Sequence, residues 1–208
     1  MQIQTLTLRY GKDSIVVQVP QAALLGTYKL EAFENEGDAD VIVRRALAHP
    51  IASPKLSELA QSGQQVVILC SDITRPCPTV TLLPYVLQEL ADAGIPDEDI
   101  RIVIALGTHR RMSDSEILAN FGAEAVRRFR ILQHDPDDVV RLGMTSRGTP
   151  VEIFRPVVEA DLRLALGNVE FHYFAGYSGG AKAVMPGCAS IQAIAHNHAM
   201  MVLPEAST

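Results

Sequence analysis

Three short stretches of this sequence carry residue types suited to chemistry. The stretch FHYFAGYSGGAKAVMPG, residues 171–187, holds a histidine, a serine among glycines and a lone lysine. His172 can move protons near neutral pH. The run Tyr177–Ser178–Gly179–Gly180 lets backbone N–H groups approach an anion, more so if a helix starts near Gly180. Lys182 lies among Ala181, Ala183 and Val184, and apolar surroundings lower a lysine pKa and favour its use as a nucleophile. The loop lacks GxxxxGK[ST] spacing: Ala183 stands where a phosphate loop has Ser or Thr. A tight glycine turn with an exposed lysine is the structural alternative.

SDITRPCPT (71–79) offers Asp72 and Arg75, and GTHRRM (107–112) offers His109. Asp72 suits an Asx turn or a helix cap with Arg75 as its ion partner. The pair equally suits ligand recognition, because a guanidinium fork matches a carboxylate in two bonds. His109 is a solvated loop residue or a proton shuttle. His134, in HDPDD, reads as a surface residue beside a turn, and His49 as a helix end. His196 and His198 lie two apart on a helical stretch, about 200° around it. They cannot both face one metal, so at most one points into a site.

The elements that must position these residues alternate along the chain. IQTLTL and SIVVQV, joined by YGKD, form a hairpin. GDADVIVRRALAH has helical spacing. QQVVILC (64–70) and RIVIALG (101–107) read as buried strands. TVTLLPYVLQELADAG (79–94) reads as a helix ended by Gly94, with Pro84 a kink or a late start. SDSEILANFG (113–122) is a helix with Ser113 and Glu116 in capping-box spacing. RILQHD, VEIF and DLRLALGNVE supply further strands, and ASIQAIAHNHAMMV a final helix. The pattern predicts an α/β fold, a Rossmann-like, mostly parallel sheet with helices on both faces. Each polar stretch follows a predicted strand, where open parallel sheets bind ligands.

The 208 residues carry a net charge of −6, which argues against a nucleic-acid partner. Arg110–Arg111 and Arg127–Arg128 read as solvated helix faces. No run reaches the roughly 18 apolar residues needed to span a membrane. The odd set Cys70, Cys77 and Cys188 without CxxC spacing fits a reducing, cytoplasmic setting.

SDITRPCPT, GTHRRM, HDPDD and above all EFHYFAGYSGGAKAVMPGCASIQAIAHNH resemble the nickel-pincer lactate racemases and related 2-hydroxyacid racemases and epimerases, from about residue 60 onward. The resemblance implies two α/β domains with the site between them. Residues 1–208 would be the N-terminal, cofactor-binding domain, with the second α/β domain absent and turnover by the fragment alone poor or nil. It also implies a cofactor, the nickel-pincer nucleotide, a pyridinium-3-thioamide-5-thiocarboxylate mononucleotide holding Ni(II). Lys182 would tether it, with Asp72, Thr74, Tyr177, Ser178, Gly179 and Gly180 around it. His198 would be the nickel ligand, His109 and His172 the two proton-transfer residues, and Arg75 the substrate-carboxylate contact. The implied partners are a small 2-hydroxyacid and the enzymes that synthesise the pincer cofactor.

The implied chemistry is consistent. Removing the α-proton of lactate as H⁺ beside a carboxylate leaves an unstable dianion, whereas hydride transfer to a pyridinium ring avoids it. Each face then needs a base for the hydroxyl proton. Soft sulfurs plus one imidazole suit square-planar nickel. Two alternatives stay open at this level: a non-catalytic Rossmann-like module gripping a nucleotide or anion, and a zinc hydrolase using His109, His172 and His198.

Overall fold

The structure, a computed structural model, describes residues 2–28, 37–172 and 175–207. It divides into two compact units, Met1–Gly37 and Asp38–Thr208. In the first, β1 (Ile3–Tyr10) and β2 (Asp13–Pro20) pair antiparallel from Ile3–Pro20 to Tyr10–Asp13. This is the expected hairpin, turned through Gly11 at a φ of 61°.

The second unit is built on a four-stranded parallel sheet. Its strands are β3 (Val66–Cys70), β4 (Ile100–Ile104), β5 (Arg130–Gln133) and, later in the chain, β8 (Leu162–Leu166). The spatial order is β5-β4-β3-β8. The chain thus steps outward from β3 to β5 and then returns to β3's other side. That reversal opens a crevice at the carboxyl ends of β3 and β8.

Strand alternation divides the core in two. Val66, Ile68 and Cys70 face Leu83 and Leu90 of α3 (Thr79–Asp92) and Phe121 and Ala125 of α4 (Asp114–Arg128). Val67, Leu69 and Val103 face the other way. There they pack on a hairpin of β6 (Val139–Met144) and β7 (Pro150–Phe154), on α5 (Arg155–Glu159) and on α6 (Ile191–Ala199). Burial on both faces explains why these strands read as unbroken apolar runs. Two shorter helices, α1 (Ala39–Ala48) and α2 (Leu56–Leu59), precede β3.

Several expectations change in detail. Pro84 lies inside α3, which already begins at Thr79, so it marks no late start. Gly94 closes α3 at a φ of 79°, with Ile95 N–H donating to the Leu90 carbonyl. Ser113 and Glu116 form the expected capping box, but α4 continues to Arg128 through a non-helical Gly122. The Arg pairs are partly neutralised: Arg110 binds Glu116 through two hydrogen bonds, and Arg128 bridges Asp97 and Glu124. Among the described residues, no helix is long and apolar enough to cross a membrane.

Candidate functional site

All three polar stretches leave the sheet at its carboxyl edge: 71–78 after β3, 105–112 after β4 and 167 onward after β8. They enclose a cavity of about 400 Å³. Asp72, Arg75, His109, His172, Ser178, Gly179, Gly180, Lys182 and His198 line it, which brings together nine of the eleven residues singled out from the sequence.

Asp72 is 4 % exposed. It accepts the Thr74 N–H at 2.7 Å and faces His109 Nδ1 at 2.6 Å. Burial alone would raise its pKa, but hydrogen bonds from Thr74 and His109 reverse this and hold it below the ordinary value. The expected Asx turn is thus present, and it is made by a residue that lines the cavity. A carboxylate on Nδ1 assigns the proton of neutral His109 to that nitrogen and leaves Nε2 for a bound molecule. Thr74 lies outside the cavity lining, with its hydroxyl 3.4 Å from His109 Nδ1.

Arg75 donates from one guanidinium nitrogen to Glu170 at 3.1 Å. Glu170 is a residue that sequence reasoning passed over. Its only signal was a carboxylate two positions before His172, on the same side of an extended chain.

The loop after β8 doubles back as two short strands, β9 (Phe171–His172) and β10 (Gly176–Tyr177). Tyr173 and Phe174 of the motif lie outside the described residues. Ser178 pins this turn: its hydroxyl accepts the Glu170 N–H at 2.9 Å and donates to the Asn168 carbonyl at 3.0 Å. Tyr177 lies outside the cavity lining, against Phe171 at 5.2 Å between ring centroids. Gly179 has a φ of 83°, and a Cβ there would sit 3.0 Å from the Asn168 carbonyl oxygen, so glycine is required. A Cβ on Gly187 would collide with the Ala183 carbonyl oxygen. Gly187 instead accepts the Gly107 N–H at 2.9 Å, tying the second and third loops together.

The expected helix near Gly180 is a four-residue 3₁₀ turn, Gly180–Ala183. It is too short to bring a helix dipole, so an anion there would meet only single N–H groups and Lys182. Burial, then the Arg75 charge, lowers the Lys182 pKa, with Glu170 opposing. His172 is likewise pushed below the ordinary histidine value by burial, then by Lys182, Arg75 and His198.

The two histidines of α6 part as their spacing requires. His198 lines the cavity, while the His196 ring lies 3.2 Å from the Thr149 hydroxyl on the β6–β7 hairpin. His134 is a correction: it is 2 % exposed and set edge-on to Phe154, 5.7 Å between centroids, not on the surface. Among the described residues no group of three or more His, Cys, Asp or Glu could hold one metal ion. The three-histidine zinc site therefore does not assemble there.

Residues 10–208 match the family described as the lactate racemase N-terminal domain. The chain is 35 % identical over 198 residues to the lactate racemase of Thermoanaerobacterium thermosaccharolyticum, and equally to that of Lactiplantibacillus plantarum. Each alignment covers 93 % of this chain and 46 % of the relative. The chain thus spans about half the length of the curated relatives it matches. The solved structure of the lactate racemase apoprotein from T. thermosaccharolyticum superposes with a TM-score of 0.74 at 34 % identity. That match covers 92 % of this chain and 45 % of the other.

Proposed function

The chain belongs to the lactate racemase N-terminal domain family, and from that membership we propose that it supplies the cofactor-holding part of a racemase acting on lactate or a close 2-hydroxyacid. The observation that carries this reading is the convergence of two histidines, an arginine, a lysine and the α6 histidine on one cavity at the sheet's switch point.

The donor set suits the nickel-pincer nucleotide. Gly180 leaves open space at its Cα beside the lysine, Lys182 offers an amine of lowered pKa for covalent attachment, and His198 offers one imidazole in the same cavity. When bound, that group supplies an electrophilic pyridinium ring able to take and return a hydride. The protein's own residues do the rest. Arg75 binds the substrate carboxylate through charge-assisted hydrogen bonds. His109, with Nδ1 held by Asp72, takes or returns the hydroxyl proton at Nε2. His172, whose neutral form is favoured by burial and by the Lys182, Arg75 and His198 charges, serves as base for the opposite hand of substrate.

The test is expression of the full-length protein with the cofactor-synthesis enzymes, followed by chiral chromatography of D- and L-lactate. Lys182→Ala is expected to abolish both the cofactor mass on the residue-182 peptide and racemisation. A Lys182→Ala protein that still carried the cofactor and racemised lactate would overturn the assignment. His109→Ala and His172→Ala should each slow interconversion by about 10²–10⁴-fold. Full activity in either would refute the two-base scheme.

A further inference from the structure

The sequence HNH on α6 sends one histidine to the cavity and the other away from it. What decides which goes where lies outside the site, in the β6–β7 hairpin. Glu152 of β7 is 5 % exposed and accepts the Ser190 hydroxyl at 2.6 Å. Ser190 is the N-cap of α6 and accepts the Ala193 N–H at 3.0 Å. Arg141 of β6, 2.8 Å away, balances the buried carboxylate of Glu152. Just before the helix, Phe154 N–H donates to the Cys188 carbonyl, Ser190 N–H donates to the Glu152 carbonyl, and Ile153 bridges Ala189. Three residues before its end, His196 meets the Thr149 hydroxyl in the hairpin turn. The ring also lies over Gly148, where a Cβ would approach its Cε1 and Nε2 to 3.7 Å.

The helix is nine residues long and buries only Ala193 and Ile194. Non-directional apolar contacts resist rotation about the axis less than directional hydrogen bonds near both ends do. Once His196 is held on the hairpin side, His198 must lie about 200° around the helix. Ile194, four residues before His198 and on the same face, lines the cavity too.

We propose that the β6–β7 hairpin aims His198 into the cavity, with Thr149, Glu152 and His196 as positioning residues that act through the rotation of α6. The inference rests on the reading above, in which His198 is the protein's nickel ligand.

The test measures nickel retention separately from cofactor attachment. Protein expressed with the cofactor-synthesis enzymes is assayed for the mass added at Lys182, for nickel per chain, and for the rate of nickel loss to a chelator. Thr149→Val should keep the Lys182 adduct and the wild-type melting temperature but hold nickel about tenfold less tightly, as displaced supports of metal ligands do. Thr149→Ser, which restores the hydroxyl, should recover retention. His196→Leu alters an exposed residue and should repeat the Thr149→Val loss; it decides the matter if Thr149→Val folds poorly. His198→Ala sets the floor. Wild-type retention in both Thr149→Val and His196→Leu, with loss in His198→Ala, would overturn the positioning role and leave the functional reading standing. Wild-type retention in His198→Ala, or no nickel in the wild type, would overturn that reading and the inference together.

Discussion

A buried carboxylate facing an imidazole works as an orienting group only if it stays charged. Asp72 does so because the hydrogen bonds from Thr74 and His109 outweigh the cost of its burial. Asp72→Asn keeps the volume but can offer its amide N–H to His109 Nδ1, which favours the opposite tautomer. The expected result is a kcat lower by about 100-fold or more, with KM for lactate nearly unchanged. An unchanged kcat would show that the tautomer of His109 does not matter to turnover. Residue types alone marked this pair, because Asp, Arg and His at strand ends are legible in any sequence. Their assembly was not: neither the 2.6 Å contact nor the Arg75–Glu170 pair follows from spacing, since 37 and 95 positions separate the partners.

At the scale of elements, the central strands β3 and β4 were legible because two-sided burial writes an apolar run into the chain. The breaks were less so. Gly122 reads as a helix end, yet Phe121 and Ala125 on either side of it enter the same core, and that shared burial carries α4 through the break. Its φ of 81° and ψ of 157° lie in a region that side chains rarely enter, and a Cβ there would meet Val80 Cγ2 at 3.1 Å. Gly122→Ala should therefore destabilise the fold by about 1–3 kcal/mol. Urea unfolding should show a lower midpoint at constant slope, and an unmoved midpoint would mean that α4 relaxes to continuous helix. The β6–β7 hairpin was half missed. VEIF shows its strand character openly, whereas VVRLGM carries an arginine and a glycine and pairs through a bulge between Arg141 and Gly143. An element with so little apolar pattern is defined by its partner, not by its own residues.

For the molecule as a whole, the face of the sheet that supports α6 contains a buried titratable group, His134. Among the described residues, neither ring nitrogen of His134 makes a well-formed hydrogen bond. The Ala189 backbone and the Asp135 charge oppose the effect of burial only in part, and the His134 pKa falls below its ordinary value. The folded state therefore binds fewer protons than the unfolded chain once the pH drops below the unfolded histidine value, near 6.5. Stability is fully present above that pH. It declines as the pH falls toward the lowered folded value, by at most about 1.4 kcal/mol per pH unit for one such group. His172, also lowered, adds a contribution of the same sign, whereas Asp72 acts only at more acidic pH. His134→Leu removes the titration while keeping an apolar side chain against Phe154. Urea midpoints measured from pH 7.5 to 5 should fall less steeply in that variant than in the wild type. Equal slopes would assign the acid sensitivity elsewhere. A shallower slope would mean that mild acid loosens this face of the sheet through His134, where Phe154 and the Ala189 backbone adjoin its ring.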